Sequence, residues 1–472
     1  MRYDNSVPFI DRDVELSVLT KEYERPGFSL VTVYGRRRVG KTRLLREFLS
    51  RVGGLYYVAA ELSYPILAKE FVRAVADYFG RLPRSEDVVD ALVELAESFE
   101  RPAVVIDEFQ YLVEADPSLP SRLQRAIDTR LHRTNLKLVL SGSAISFFEY
   151  ELLGYRAPLH GRRTANIRLR PMRFLNALGF LEEMSPEEAV RTYSVLGGTP
   201  AYLSIAYGKG GLREVLEEAL APGSPLVEEA ESLLRQELRE PRRYMALLRS
   251  VAEGRASPYE AAAAAGIDSR SVHRYLEVLE ELDIVAVRKP LGFRRGARVF
   301  FTDHYFRFWF RYVQPMRHLI EVGRVEEVIE HVLRTIDTYV SRAFEGVVEE
   351  SLPELWAVGA VPTKPIQHGP WWHRGEEIDV VVREPGVSAT FIEVRWADAS
   401  TREAIKEAAR LEEKARRTGL QERLNHFVVI YRSIEDSDEA VTKEGGYVLI
   451  DFVRLLPRLK ELVGAVGGHV SA

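Results

Sequence analysis

Gly35, Gly40, Lys41 and Thr42 stand at the spacing Gly-x4-Gly-Lys-Thr, after the apolar run Ser29-Leu30-Val31-Thr32-Val33-Tyr34 and before the amphipathic run Arg43 to Leu49. A strand, this loop and a helix together make a phosphate-gripping P-loop. The two glycines let successive N–H groups of Gly35, Arg36, Arg37, Arg38, Val39 and Gly40 turn inward to phosphate oxygens. The helix that follows aims its positive end at the same place. Lys41 reaches the β/γ-phosphates and Thr42 holds Mg²⁺, so ATP and Mg²⁺ are the expected ligands. Arg36, Arg37 and Arg38 make the loop basic; they contact phosphate, a partner or DNA, or simply face solvent.

A second set of residues completes phosphoryl-transfer chemistry. The apolar run Ala103 to Ile106 ends in Asp107-Glu108, about 65 residues after the loop. Asp107 is placed to hold Mg²⁺ and Glu108 to polarise the attacking water. Such transfer needs positioned charge more than covalent chemistry. The run Lys137 to Leu140 ends in Ser141-Gly142-Ser143, and Ser141 or Ser143 is the candidate γ-phosphate sensor. Arg162, in Gly161-Arg162-Arg163, could stabilise transition-state charge in cis or across a subunit boundary, or could be a solvated surface residue.

Stepping from these residues to their supports, apolar strands are expected at 29–34, 55–59, 103–107, 137–141 and 166–169, with amphipathic helices between them. That alternation predicts a parallel sheet with helices on both faces. Residues 171–241 read as a helical lid. Residues 242–302 read as three helices and a strand pair, with a capping box at Ser257-Pro258-Tyr259-Glu260 and a third helix capped by Asp268 or Ser269. Residues 303–472 read as linker helices and then a β-rich tail. Strands are expected there near 355–360, 377–383, 390–395 and 426–431, with a charged helix at 400–417.

The 472 residues are too many for one core. A net charge of -5 argues against wholesale polyanion binding, although a local basic face is compatible with it. There is no cysteine, hence no disulfide framework or thiolate metal site. No apolar signal region and no long apolar run are present, so the protein is read as cytoplasmic and without a membrane partner. Only 5 Asn and 6 Gln beside many Arg and Glu suggest a thermophile.

Phe9-Ile10-Asp11-Arg12-Asp13-Val14-Glu15-Leu16, the P-loop, Ile106 to Leu112, Leu140 to Ser143, Leu159 to Arg162 and Leu196-Gly197-Gly198-Thr199-Pro200-Ala201-Tyr202-Leu203 together resemble the archaeal ATPase family, an AAA+/STAND-like branch of the P-loop NTPases. The resemblance implies an ATP-hydrolysing switch. It places Phe9 and Arg12 beside the adenine, and Pro200 at the start of a lid that touches the nucleotide. A homo-oligomer is compatible with it.

The middle segment has the pattern of a helix-turn-helix followed by a wing. DNA is the expected partner of that geometry, with Arg270, Ser271 and Arg274 leading into the major groove and Arg294 and Arg295 on the backbone. Packing without DNA contact is the alternative use. In the tail, Glu345 on a helix, then Asp379 and Glu393 on adjacent strands, resemble a PD-(D/E)XK nuclease core, which implies a second Mg²⁺ site. The departure is Arg395, where that core has a lysine; Lys406 or Lys414 could supply the amine. His368, Trp371, Trp372 and His373 read as a loop. The expected architecture is therefore α/β: a P-loop core at 1–170, lid, winged helix and nuclease-like tail.

Overall fold

The computed structural model describes residues 7–468 of the chain. It divides into two compact units, Asp11–Arg170 and a second one formed by residues up to Ile10 together with those from Pro171 onward.

In the first unit five strands are all parallel: β1 (Ser29–Tyr34), β2 (Leu55–Val58), β3 (Ala103–Asp107), β4 (Lys137–Gly142) and β5 (Ala165–Arg168), in the order β2-β3-β4-β1-β5. Every residue of β1, β3 and β4 is buried, which is why these strands read as continuous apolar runs rather than alternating ones. The register sets Tyr34 beside Gly142, Ile106 beside Leu140 and Val58 beside Asp107. The carboxyl ends of β1, β3 and β4 therefore arrive level. That edge is where open α/β sheets bind ligands.

In the second unit the region read as a lid holds the short helix Phe174–Ala177 and then helices Pro186–Leu196, Pro200–Leu203, Leu212–Ala219 and Pro225–Glu237. Helices Pro241–Ala252, Pro258–Ala264 and Val272–Glu281 follow, then an antiparallel pair, β6 (Val285–Arg288) and β7 (Arg298–Phe301). Two expected caps are not formed. Ser257 stands at its helix N-terminus without a side-chain bond, Pro258 having already removed one orphan donor. The helix Val272–Glu281 starts later than expected, after Ser271, because the Asp268 carboxylate accepts the Arg270 N–H at 2.8 Å in a local turn.

The long helix Val325–Glu350 leads to a mixed sheet of β8 (Gln367–His373), β9 (Glu376–Glu384), β10 (Ser388–Ala399), β11 (Leu424–Ile434), β12 (Val441–Glu444) and β13 (Tyr447–Asp451), ordered β12-β13-β11-β10-β9-β8. The helix Thr401–Ala415 connects the parallel pair β10 and β11. It opens with a formed capping box, Ser400 with Glu403.

Two tail expectations are corrected. The strand expected at 355–360 is instead the helix Leu352–Ala357, because a short apolar run carries no decisive period. The loop expected around His368 to His373 is strand β8. Gly369-Pro370 disguises it, but β8 lies at the sheet edge, where a proline costs no ladder bond.

The expected lid, middle segment and tail fall in one compact unit, and aromatic side chains stitch the lid to the tail and the tail to itself. Trp309 Nε1 donates to Val227 O at 2.8 Å, and the Tyr305 hydroxyl donates to Leu226 O. Phe344 packs against Trp396 at 5.0 Å and Phe452 at 4.9 Å. Each such fully buried ring contributes on the order of 2–3 kcal/mol.

Candidate functional site

The P-loop is shaped by what its glycines avoid. A Cβ at Gly35 would lie 2.2 Å from Leu169 O, at the end of the neighbouring strand. Gly40 heads the helix Lys41–Val52 at φ 98°, a conformation that favours glycine. Lys41 is buried, and its Nζ donates to Gly35 O at 2.7 Å and Arg36 O at 3.0 Å, so the ammonium is held inside the loop. Arg36 is wholly buried rather than solvated, Val39 is buried, and Arg37 and Arg38 are half-buried. Arg12 adopts φ 73° and ties the loop down: it donates to Val39 O at 3.3 Å and Arg170 O at 2.6 Å and pairs with Glu15 at 3.0 Å.

Strand β3 ends at Asp107, the bound expected from the sequence. Thr42 Oγ1 lies 3.3 Å from Asp107 Oδ2. The same oxygen accepts the hydroxyl of Tyr56, a contact that sequence reasoning missed. Burial, then the Asp107 charge, push the Tyr56 hydroxyl well above its usual range, so it remains a donor. Its signal was a polar-tipped aromatic on the strand beside Asp107. A hydroxyl and a carboxylate converging at the mouth of the loop are hard oxygen donors that suit Mg²⁺.

Glu108 sits at φ 53°, and its Oε2 accepts three bonds. They come from Gln110 Nε2 at 2.5 Å, Ser143 Oγ at 3.0 Å and Ser143 N at 3.3 Å. This separates the two serines left open by the sequence. Ser143 reaches the carboxylate from β4, whereas Ser141 Oγ is buried with no partner among the described residues. Gln110 was the other missed residue. Its seat is tight, because a Cβ at Gly142 would come within 2.2 Å of Gln110 Oε1.

Arg162 does not stand free. Its guanidinium makes a two-pronged pair with Asp128, both contacts at 2.9 Å, and donates to Pro158 O and His160 O. Every nitrogen is engaged, so a phosphate contact would require that pair to open. Phe9 and Pro200 both belong to the second compact unit. Pro200 opens the buried helix Pro200–Leu203, and a Cβ at the neighbouring Gly198 would meet Met172 O at 1.8 Å.

In the middle segment Arg270, Arg274, Arg294 and Arg295 are exposed and Ser271 is half-buried. Arg270 and Ser271 lie in the turn before the helix, and Arg274 is on its first turn. The β6–β7 hairpin leans on β8: Leu291 N donates to Pro370 O at 2.9 Å and Trp372 Nε1 to Gly296 O at 3.0 Å. Arg298 lies over the Trp372 ring at 4.5 Å and pairs with Glu377 at 3.1 Å, which takes it away from any polyanion.

The tail brings Asp379 and Glu393 together but does not form the expected second Mg²⁺ site with Glu345. Among the described residues no group of three or more His, Cys, Asp or Glu is arranged to hold a metal ion. A cation of the chain itself, Arg395, stands among these acids. Its guanidinium contacts Asp379 at 3.3 Å, Glu407 at 2.9 Å and the Glu393 carboxylate. Lys414 on the helix Thr401–Ala415 lies 3.1 Å from Glu393, whereas Lys406 makes no such contact. Burial, then the Asp379 charge, raise the Glu345 carboxyl; burial, then Glu393, raise Asp379.

No helix among the described residues is long and apolar enough to cross a membrane. Residues 9–205 match the family model of an ATPase domain predominantly from Archaea, and residues 309–407 that of archaea bacterial proteins of unknown function. An uncharacterized protein of Methanocaldococcus jannaschii is 29% identical over 435 residues, 91% of this chain and 97% of its own. An uncharacterized ATP-binding protein of the same organism is 44% identical over 43 residues, 9% of this chain and 73% of its own. A Walker-type ATPase of Pyrococcus abyssi is 21% identical with a TM-score of 0.48 over 64% of this chain and 96% of its own. Cdc6p from Pyrobaculum aerophilum is 15% identical with a TM-score of 0.32 over 69% and 96%. The fold is assigned from the parallel strand order and register. With Lys41, Thr42 and Asp107 converging at the sheet edge inside residues 9–205, the segment that matches the ATPase-domain model, this chain is a P-loop ATPase, and the second match lies apart from that segment at residues 309–407.

Proposed function

We propose that the chain is an ATP-driven switch that acts on DNA through its middle segment, used as a winged helix. The observation that carries the ATPase half is the pairing of two differently held carboxylates: Asp107 beside Thr42, and Glu108 pinned by Gln110 and Ser143. ATP entering the loop draws Lys41 from the Gly35 and Arg36 carbonyls to the β/γ-phosphates. Thr42 and Asp107 would hold Mg²⁺, which when bound neutralises charge on the phosphate oxygens. Glu108 takes a proton from the attacking water as that water adds to the γ-phosphorus and the bond to the β-phosphate oxygen breaks. Ser143, bonded to Glu108, senses the change. Phe9 and Arg12 serve the adenine side, Pro200 the lid, and Arg162, released from Asp128, the transition-state charge in cis or in a homo-oligomer.

The DNA half rests on Arg270, Arg274, Arg294 and Arg295, all exposed on one segment. The tail takes no cleavage step in this reading, because Arg395 is already bonded to Asp379, Glu393 and Glu407.

Two experiments test the reading. Lys41→Ala is expected to abolish ATP turnover. Glu108→Gln is expected to bind ATP normally while slowing turnover by roughly 10²–10⁴-fold. Ready hydrolysis by Glu108→Gln refutes the base assignment. DNA affinity should fall steeply with salt and drop in the Arg270→Ala/Arg274→Ala variant. Absence of DNA binding both with and without ATP sinks the DNA half.

A further inference from the structure

The acid cluster of the C-terminal sheet carries its own cation. β9 and β10 pair antiparallel up to Val380 opposite Ile392, and the next residues outward on the two strands are Asp379 and Glu393. The Arg395 guanidinium reaches Asp379 Oδ2 at 3.3 Å, Val394 O at 3.0 Å, Glu407 Oε1 at 2.9 Å and the Glu393 carboxylate. Two strand carboxylates, a main-chain carbonyl and a helix carboxylate supply the hard oxygen donors a divalent cation prefers, in a cluster that as it stands is not arranged to hold one. Here a side chain of the same protein fills it. Guanidinium has five donors and no acceptor and does not lose its proton, so it stays a cation at any working pH.

A second observation shows that the fit to arginine is incomplete. Glu393 is 2% exposed, and its Oε1 accepts from both Arg395 and Lys414. Its Oε2 is buried with no hydrogen-bond partner among the described residues. A buried carboxylate oxygen without a partner is costly and calls for a ligand. Neither Arg395 nor Lys414, which share Oε1, bonds to it.

We infer that Arg395 is a built-in substitute for a divalent cation: the tail takes up no Mg²⁺ or Mn²⁺ while Arg395 is in place, and shortening that side chain opens a latent metal site on Asp379, Glu393 and the Val394 carbonyl. The inference stands on the tail alone and is independent of the ATPase reading.

The test counts bound Mn²⁺ by electron paramagnetic resonance on the full chain without nucleotide. Arg395→Ala is expected to bind one more Mn²⁺ per chain than the natural protein, with at least about tenfold tighter affinity than any Mn²⁺ the natural tail takes. The added site should vanish in Arg395→Ala/Asp379→Asn. Thermal melts in Mn²⁺ should show a larger stabilisation of Arg395→Ala than of the natural chain. If the alanine variant fails to fold, Arg395→Gln serves, since it removes the positive charge and keeps a shorter polar side chain. Mn²⁺ binding by the natural chain that is lost on Asp379→Asn overturns the inference. So does a folded Arg395 variant, melting cooperatively and turning over ATP, that gains no Mn²⁺.

Discussion

Two pairs of carboxylates stand at strand ends in this chain, and they are held in opposite ways. Among the described residues, Asp107 and Glu108 are bonded by neutral groups: the hydroxyls of Thr42, Tyr56 and Ser143, the Gln110 amide and main-chain N–H groups. Asp379 and Glu393 are bonded chiefly by fixed cations, Arg395 and Lys414. Neutral donors fix a carboxylate's direction and leave its charge to meet something that arrives. Fixed cations orient it equally well but cancel the charge in advance. The first arrangement suits a site that must take up Mg²⁺ and a water; the second suits a closed structural cluster.

The largest effect should come from breaking the closed cluster. Glu393→Ala leaves Arg395 and Lys414 without their shared buried partner. Removing one member of a buried pair costs roughly 3–5 kcal/mol, and the partial exposure of both cations brings this toward about 2–3. Chemical denaturation should show that loss, while ATP turnover per folded chain stays within about twofold. A turnover defect as large as the stability defect would mean that the two carboxylate sites are coupled, and would break the comparison.

A smaller effect is expected on the open side. Gln110→Leu keeps the volume but removes the amide from Glu108 Oε2, leaving Ser143 to hold it alone. Turnover should fall about tenfold, or ~1.4 kcal/mol of barrier, with the ATP KM unchanged, and Gln110→Glu should not rescue it because it sets like charge beside Glu108. A change in KM rather than kcat would place Gln110 in nucleotide binding and not in positioning the base.

How far this contrast could be read in advance depends on where each partner sits in the chain. The strands of the first unit were legible, and the candidate sensor was narrowed to Ser141 or Ser143, because buried parallel strands announce themselves as apolar runs that stop at a polar residue. The roles of Tyr56 and Gln110 were not. Tyr56 acts on Asp107 only through the β2–β3 register, and Gln110 acts through the φ of 53° at Glu108. In the tail, Arg395 was visible as the wrong cation for a nuclease core. Its grip on Glu407 was hidden, since that residue comes from a helix crossing the sheet. Strand β8 was lost to Gly369-Pro370, and Leu352–Ala357 was too short to show its period.

Half-buried Glu350 shows a third way of holding an acid, and its expected effect is the smallest. It ends the helix Val325–Glu350, and its carboxylate accepts the Phe174 N–H at 2.6 Å. Arg173 donates to its main-chain oxygen at 3.0 Å but sends its side-chain ion pair to Glu354 instead. Burial therefore wins, and the Glu350 carboxyl is pushed up to about 7 from 4.5, with Arg173 and the Phe174 bond opposing the shift. The folded protein thus holds this proton where the unfolded chain releases it. The stabilisation is complete below the unfolded value near 4.5 and is lost as pH rises through about 7. Glu350→Gln mimics the protonated form and should remove that dependence. Its advantage in Tm over the natural chain should grow between pH 5 and pH 8 by about 2 °C, on the order of 1 kcal/mol. A gap that stays flat with pH would mean that Glu350 is ionised throughout, held by cation pairing like Glu393 rather than by its proton.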